Sequence, residues 1–328
     1  MVTRARPVSF GRRSFLYRET MATGANATAK PPIDDIDRRI IELLQHDGRA
    51  SFQNIAEAIE LSRPSTRARV LRLLDDRIVE VRGVVHPSVF GLHAYAHASV
   101  VVTSPAVRIG EMLAADEDVP FISVTAGAHA LVVELRCADQ QSLAAALARI
   151  TSIDGVTQVT TSSYLSIAKD AYWPPRPLSV SDVDTADRLL LELLQRDGRT
   201  SFVELGKHTA LSPSAVRTRV ARLIEGGVLH IGARIRPDVL NTQHVVGFGL
   251  TVDGDSTPVI EKLQKWDTIQ YLASCIGRYA VIGTAISVSN SQMAEVIDLI
   301  RASPGVRVVD TWTHLCFVKE DYDHSPVG

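Results

Sequence analysis

The sequence LLQHDGRASF at residues 43–52 recurs as LLQRDGRTSF at residues 193–202, which lies 150 residues further along the chain. The match extends without a gap over residues 34–91 and 184–241, where 21 of the 58 paired positions are identical. A repeat with a fixed period indicates repeated structural units, and two copies are too few for a solenoid. We therefore predict a duplicated pair of domains, so that whatever the first copy binds can also be bound by the second.

The composition fits a globular protein of two to four domains. Of the 328 residues, 45% are hydrophobic and 22% are charged, and both fractions are ordinary for such proteins. No apolar run approaches the roughly 18 residues that cross a membrane. Cys137, Cys275 and Cys316 are odd in number and far apart, which argues against a disulfide scaffold or a cysteine zinc site. We therefore expect a cytoplasmic protein without a membrane partner.

The net charge of −2 conceals a separation of charge within each copy. Residues 61–86 carry six Arg and three acidic residues, and residues 211–236 carry five Arg and one acidic residue. Residues 87–170 carry four basic and eight acidic residues, and residues 237–320 carry six and nine. Attraction to phosphates requires a local basic surface more than a positive total charge. Each copy is therefore predicted to have a basic part that can meet nucleic acid and a separate acidic part.

The first part of each copy has the periodicity of short helices. In copy one, Ile40 and Leu44 mark a first helix, and Asp47-Gly48-Arg49 breaks it. Ser51 and Ser62 are placed as N-caps of a second and a third helix. Alternating β-branched segments follow, IVEVRGVVH in copy one and VLHIGARIR in copy two, and we interpret them as a two-stranded ribbon or wing. This order predicts a winged helix-turn-helix.

The third helix is the predicted DNA reader. With successive residues placed about 100° apart around the helix axis, the face that is predicted to point to the core carries Thr66, Val70, Leu73 and Leu74. Small residues on the other faces allow close approach to a groove, and Arg supplies contacts to phosphates or base edges. A solvated charged face is the alternative interpretation, but three Arg recur in register in copy two and favour DNA. The candidate DNA-binding residues are Ser65, Arg67, Ala68, Arg69 and Arg72, with Ser214, Arg217, Thr218, Arg219 and Arg222.

The second part of each copy predicts the order strand–helix–strand–strand–helix–strand. In copy one we expect strands near residues 94–102, 120–125, 130–136 and 156–167 and helices near residues 105–115 and 140–150. In copy two we expect strands near residues 245–252, 269–275, 280–288 and 306–317 and helices near residues 257–266 and 291–302. This order is the ferredoxin-like, split βαβ pattern. The predicted fold class is therefore α+β, a winged helix-turn-helix followed by a ferredoxin-like βαββαβ domain, with the pair present twice.

The pattern D-x-x-D-R…L-L-Q-x-D-G-R-x-S-F…L-S…R-V-x-R-L occurs in both copies and resembles the Lrp/AsnC family of feast/famine transcriptional regulators. The resemblance covers nearly all of the chain after about residue 33, and the second part of each copy corresponds to the family's RAM sensing domain by its order of elements. It implies a homo-oligomeric regulator that binds double-stranded DNA and responds to a small metabolite, such as an amino acid or a related compound. The chain departs from the family at Arg77, where a Gly is usual, and at Ala130 and Ala280, where an acidic residue is usual.

The resemblance also implies an effector site around the turn between the two middle strands of the sensing domain. In the family, effectors bind there at an interface between two such domains. Arg278 offers a partner for an effector carboxylate, and ordinary hairpin residues are the alternative interpretation. The candidate effector-binding residues are Thr125, Gly127 and His129 in copy one and Cys275, Gly277, Arg278 and Tyr279 in copy two.

The chain divides on this basis into seven predicted segments. They are a disordered basic tail at residues 1–32, helix-turn-helix units at 33–86 and 183–236, sensing domains at 87–169 and 237–320, a linker at 170–182 and a tail at 321–328. Met21 is an alternative start to Met1.

No catalytic residue, cofactor or metal site is predicted, because the sequence shows no P-loop, nucleophile elbow or dinucleotide-binding turn. His93 and His97 lie on a predicted strand and are interpreted as structural. Two alternatives to a regulator remain. One is an enzyme on the same fold that resembles siroheme decarboxylases, although SYLSIA and TWTHLCF match their motifs poorly. The other is a sensor that has lost DNA binding.

Overall fold

The computed structural model describes residues 33–171, 178–179, 182–235 and 244–322. Its helices are α1 (Asp35–His46), α2 (Phe52–Ile59), α3 (Arg63–Asp75), α4 (Ala106–Leu113), α5 (Gln140–Thr151), α6 (Thr185–Arg196), α7 (Phe202–Thr209), α8 (Pro213–Glu225), α9 (Thr257–Leu263) and α10 (Asn290–Arg301). Its strands are β1 (Val79–Val85), β2 (Ala94–Val102), β3 (Phe121–Ala126), β4 (Leu131–Cys137), β5 (Val156–Asp170), β6 (Leu229–Ile235), β7 (His244–Val252), β8 (Ile269–Gly277), β9 (Val281–Ser287) and β10 (Val306–Glu320). Both copies thus have three helices and one strand followed by βαββαβ, as predicted.

Serine N-caps define the starts of the second and third helices of each copy. The side chains of Ser51 and Ser62 accept hydrogen bonds from backbone N–H groups two or three residues into α2 and α3, and Ser201 and Ser212 do the same for α7 and α8. Such a cap satisfies a donor that has no partner within the helix. The predicted positions of Ser51 and Ser62 are therefore confirmed.

The ribbon that follows the third helix is shared between the copies. Each copy supplies one strand, and β1 pairs antiparallel with β6 from Val79 opposite Ile235 to Val85 opposite Leu229. A two-stranded ribbon or wing was predicted from these segments, and the structure shows that its two strands come from different copies. A lone strand leaves its backbone hydrogen-bonding groups unpaired, and the corresponding strand of the other copy satisfies them.

Eight strands form one closed barrel in the order β3-β4-β2-β5-β8-β9-β7-β10. The first four belong to copy one and the last four to copy two, and each set has the strand order of a ferredoxin-like sheet. The two sheets meet at two seams, where β5 pairs with β8 and β10 pairs with β3. Closure removes the exposed edges that two separate sheets would have.

The barrel wall separates an outer core from an inner one, because successive residues of a strand point to opposite faces. In β2, Ala94, Ala96 and Ala98 pack with apolar residues of α4 and α5 outside the barrel. Copy two has a matching outer core under α9 and α10. The inner cluster, which draws on both copies, comprises Val132, Ala273, Cys275, Tyr279, Ile282 and Trp312.

Several predicted segments lie outside the described residues. They are the basic tail at 1–32, most of the linker at 170–182, the junction at 236–243 and residues 323–328 of the second tail. The predicted domain boundaries therefore stay predictions.

Candidate DNA-binding face and sensing barrel

The exposed side of α3 begins directly after its cap. Ser65, Arg67 and Ala68 are exposed, whereas Thr66 and Val70 on the opposite side are fully buried. No ion pair of Arg67 occurs within the described part of the chain. The predicted orientation of this part of the helix is therefore confirmed, and the first two turns of α3 present small and basic side chains to the outside.

Copy two repeats this arrangement in α8. Ser214, Arg217 and Thr218 are exposed, and Val216 and Val220 are buried. Arg217 has no ion pair among the residues that the structure covers. Arg67 and Arg217, which occupy matching positions in the two copies, are thus both available to a partner.

Two other Arg of α3, Arg69 and Arg72, bind a buried carboxylate. Nη1 of Arg69 lies 2.9 Å from Oδ1 of Asp37 in α1, and Arg72 binds the other carboxylate oxygen of Asp37. The side chain of Asp37 is 1% exposed, and those of Arg69 and Arg72 are 31% and 28% exposed. The helical pattern placed Arg72 on the side away from the core, and the structure corrects this because its long side chain returns to the carboxylate on α1.

The same clamp holds α8 to α6 in copy two. Nη1 of Arg219 lies 3.0 Å from Oδ1 of Asp187 and 2.6 Å from Oδ2 of Asp184, and Arg222 binds Oδ2 of Asp187. Asp187 is buried like Asp37. The two aspartates therefore account for two of the three Arg that recur in register, because Arg69 and Arg72 in copy one and Arg219 and Arg222 in copy two position the helix.

The Asp-Gly-Arg turns between the first and second helices join the two copies. Arg49 donates from Nη1 to the carbonyl oxygen of Gly198 at 2.8 Å and from Nη2 to that of Thr200 at 2.9 Å. Arg199 donates in return to the carbonyl oxygen of Gly48 at 3.0 Å. The backbone N–H groups of these glycines bond to the other copy's ribbon strand. The sequence analysis treated these residues only as helix breaks, although their identity in the two copies was an available signal.

In copy one, the turn between the middle strands of the sensing domain lies at a seam of the barrel. Gly127 has a φ of +146°, and a Cβ added there would lie 3.4 Å from the carbonyl oxygen of Thr311 in copy two. The hydroxyl of Thr125 donates to the carbonyl oxygen of His129 at 2.9 Å, and both side chains are buried. Of the three predicted effector residues in copy one, only Gly127 is exposed.

The corresponding turn of copy two lies at the other seam. Gly277 has a φ of +133°, and a Cβ there would lie 2.6 Å from the carbonyl oxygen of Thr161. Nη2 of Arg278 lies 3.0 Å from Oδ2 of Asp310. This internal carboxylate takes the place that the sequence analysis gave to an effector carboxylate. The structure thus brings the two predicted turns to equivalent positions.

The two other candidates of this turn are buried. The hydroxyl of Tyr279 donates to Oδ2 of Asp310 at 3.0 Å. Burial raises the pKa of the Cys275 thiol to about 12, which keeps it in the unreactive neutral form. These side chains therefore shape the turn more than they offer groups to a ligand in solution.

Three histidines inside the barrel, His97, His129 and His314, are held in the neutral form. Burial is the main cause that lowers the pKa of His97 to about 3, of His129 to about 4 and of His314 to about 4. The rings of His97 and His129 lie 5.3 and 5.1 Å from the ring of Trp312. We call these three residues the barrel histidines.

A cavity of about 410 Å³ extends from the barrel interior to the ribbon. Its lining includes Tyr95, Glu134, Arg136 and Trp312 from the barrel and Arg234 from the ribbon. The sequence analysis did not identify this cavity, because its lining comes from both copies and from elements far apart in the chain. Among the described residues, no group of three or more His, Cys, Asp or Glu could hold a metal ion. The same residues include no helix long and apolar enough to cross a membrane.

Comparison with known proteins places these features in a family. The AsnC-type helix-turn-helix domain matches residues 33–74 and again residues 183–224. An uncharacterized HTH-type transcriptional regulator of Pyrococcus abyssi is 31% identical over 146 residues, which are 44% of this chain and 92% of that protein. The HTH-type transcriptional regulator LrpA of Pyrococcus horikoshii is 28% identical over 136 residues, 41% of this chain and 93% of that protein. One copy thus spans nearly the full length of such a relative.

The fold of both copies together also has a solved counterpart. The crystal structure of the siroheme decarboxylase NirDL is similar over 90% of this chain and 95% of that chain, with a TM-score of 0.62 and 13% sequence identity. At this identity the similarity concerns the fold alone. The two matched helix-turn-helix domains and the relatives above show that this chain belongs to the Lrp/AsnC family of DNA-binding transcriptional regulators, in a form that carries the family's unit twice.

Proposed function

We propose that the chain reads two neighbouring half-sites on one DNA duplex, with α3 at one and α8 at the other. The observation that carries this proposal is that the first turns of α3 and α8 are exposed at matching positions, in two units that share one ribbon. Helix-turn-helix proteins with two readers bind half-sites about 10 base pairs, or a multiple of that, apart. Because Ala68 and Thr218 differ between the readers, the two half-sites are expected to differ in sequence.

We assign different roles to the ten predicted DNA-binding residues. Direct contact belongs to the exposed set, which is Ser65, Arg67, Ala68, Ser214, Arg217 and Thr218. Arg69, Arg72, Arg219 and Arg222 position the helices through Asp37 and Asp187, and their partly exposed guanidinium edges add positive charge near the phosphates. Phosphate contacts set the register on DNA, and contacts to base edges specify the sequence.

We propose that a small metabolite modulates DNA binding in the cytoplasm and that the chain self-associates. The exposed turn residues Gly127, Gly277 and Arg278 are the proposed effector contacts, since the family resemblance places effectors at these turns, at an interface between sensing domains. A ligand that binds one state more tightly shifts DNA affinity by its differential affinity for the two states.

The test is selection of bound fragments from the source genome by the purified full chain at several salt concentrations. We expect fragments with two half-sites on one face of the duplex and an affinity that falls steeply with salt. Equal recovery of all fragments at modest salt would overturn sequence-specific reading and leave the chain as a sensor that acts without DNA.

We infer that the chain is a regulator and not an enzyme of the siroheme decarboxylase kind. The exposed Arg67 and Arg217 at matching positions support a DNA reader over an enzyme. Addition of an iron tetrapyrrole tests this inference by absorption spectroscopy. A stoichiometric complex with axial histidine ligation and turnover of the tetrapyrrole would refute it, and an unchanged spectrum supports it.

A further inference from the structure

The cavity between the barrel and the ribbon differs between the copies. Chain positions 150 residues apart are equivalent, so that Glu134 corresponds to Thr284 and Arg136 to Ile286. All four residues line the cavity. This Glu–Arg pair therefore faces the cavity from copy one only.

Arg136 is held with part of its guanidinium available. Its Nε donates to Oε1 of Glu134 at 2.7 Å, and the two side chains are 8% and 7% exposed. The hydroxyl of Tyr322 donates to the other oxygen of Glu134 at 3.2 Å, and the rings of Tyr322 and Tyr95 lie 4.4 and 5.7 Å from Cζ of Arg136. In the described part of the chain, the Nη groups of Arg136 have no hydrogen-bond partner. Guanidinium Nη groups are suited to bind a carboxylate.

The cavity lining also contains the buried indole of Trp312. Trp312 is 2% exposed, and its Nε1 has no hydrogen-bond partner among the described residues. A Cβ at Gly247, across the sheet, would lie 2.0 Å from this atom, so that the glycine makes room for the indole. The equivalent positions in copy one are Ser162 and His97, so the described strands of the barrel carry one indole. Buried polar groups without partners are rare in proteins and are often satisfied by a ligand or water.

The rest of the lining is mainly apolar and aromatic. Phe121, Tyr164, Tyr271 and Phe317 contribute rings, and the rings of Phe121 and Phe317 lie 5.8 Å apart. Flat rings favour planar aromatic ligands, which pack face to face or edge to face against them. The other charged groups of the lining are Arg234, Asp170 and Glu320. The acidic side chains among them disfavour a ligand with several negative charges, such as a phosphate ester.

We propose that this cavity binds a planar aromatic monocarboxylate, with its acid group on Arg136 and its ring towards Trp312. The lining includes Gln45 at the end of α1 and Val84, Val85 and Arg234 of the ribbon. A molecule in the cavity therefore touches the element that joins the two DNA readers. Through these contacts, binding of the acid changes the affinity for DNA. This last step depends on the proposed regulatory function, whereas the binding step does not.

Calorimetric titration of the full chain with 2-naphthoate tests the binding step, and 2-naphthamide, which has the same ring without the charge, is the control ligand. We expect naphthoate to bind about tenfold or more tightly than the amide. The informative variant is Glu134→Thr with Arg136→Ile, because it installs the pair that copy two already carries at Thr284 and Ile286. It should lose the preference for naphthoate and keep its thermal stability.

A second double variant controls for removal of any ion pair. Asp298→Thr with Arg301→Ile removes an exposed pair of α10 and should leave naphthoate binding unchanged. Equal affinity of the two ligands for the wild-type chain, or of naphthoate for the wild-type chain and the variant at residues 134 and 136, overturns the site.

Measurement of affinity for a selected genomic fragment, with and without saturating naphthoate, tests the coupling. We expect a shift of about threefold or more in the wild-type chain and none in the Glu134→Thr, Arg136→Ile variant. Naphthoate binding without a change in DNA affinity overturns the coupling. A chain that binds naphthoate as expected and no DNA fragment overturns the proposed function and supports the ligand site.

Discussion

Alanine at Arg72 should destabilise the protein, whereas alanine at Arg67 should weaken DNA binding without a change in stability. The two side chains lie on the same helix, and a sequence pattern gives both the same role. Arg72 binds the buried carboxylate of Asp37, whereas Arg67 is exposed. Together the two variants separate the positioning role from the reading role.

The expected cost of Arg72→Ala follows from the burial of its partner. The side chain of Asp37 is 1% exposed, so water cannot readily replace the guanidinium. A hydrogen bond to a charged group contributes about 1.5–3 kcal/mol, and a buried charge left with no partner costs about 3–5 kcal/mol. Because Arg69 still binds Asp37 at 2.9 Å, we expect a loss of about 2 kcal/mol in the free energy of unfolding. The additional change Arg69→Ala should bring the loss to about 3–5 kcal/mol.

Urea denaturation followed by circular dichroism measures the stability of each variant, and titration of a selected fragment at several salt concentrations measures its binding. Arg67→Ala combined with Arg217→Ala removes up to two phosphate contacts and should lower the magnitude of the log–log salt slope by about 2. Arg67→Lys keeps the charge and separates a phosphate contact from bidentate reading of a guanine. Loss of DNA binding by Arg72→Ala at unchanged stability, or unfolding of the Arg67 and Arg217 variant, would refute the division of roles.

Four further changes test other parts of the structure by denaturation. Thr66→Val introduces the residue of copy two and should raise the free energy of unfolding by about 1–2 kcal/mol, because the hydroxyl of Thr66 is buried without a partner among the described residues. A loss of stability would contradict this. Arg77→Gly should also raise the free energy of unfolding, by about 1 kcal/mol, because Arg77 has a φ of +53° that glycine adopts without strain. No gain would show that contacts of the Arg side chain offset the backbone strain. Gly277→Ala should lower the free energy of unfolding more than Gly127→Ala does, since an added Cβ would lie 2.6 Å from a carbonyl oxygen at residue 277 and 3.4 Å from one at residue 127. Equal losses would contradict the geometry of the seams. The barrel histidines have pKa values below the ordinary 6.5, so the unfolded chain takes up protons before the folded chain as the pH falls. The free energy of unfolding should therefore decline below about pH 6.5 by up to about 1.4 kcal/mol per histidine per pH unit. A flat profile between about pH 6 and 5 would contradict their burial.

The order of elements could be predicted from the sequence because each element carries its own local signal. The alternation of β1 and the serine caps depend on residues a few positions apart, and the structure confirms them. The pairing of β1 with β6 could not be predicted, because a single alternating strand does not specify its partner. Duplication concealed this further, since each strand could equally have paired within its own copy.

The acidic half of the carboxylate clamp could have been predicted from the sequence. Asp37 lies three, four and seven positions before Ile40, Ile41 and Leu44, which places it on the apolar face of α1. An acidic residue on such a face needs a cationic partner, and Asp187 repeats the pattern in copy two. The partner, however, lies on another helix, and the helical pattern of α3 alone could not show that Arg72 turns towards it.

Duplication within one chain permits the asymmetry of the cavity. Two identical subunits in this arrangement would place either two Glu–Arg pairs or none around one cavity, and either two indoles or none inside one barrel. Four buried charges or two indoles would fill or destabilise a cavity of about 410 Å³. With both halves in one chain, Arg136 lines the cavity whereas its equivalent in copy two is Ile286, and Trp312 occupies the space over Gly247. The result is a cavity with one Glu–Arg pair and one indole, an asymmetry that suits a single oriented ligand.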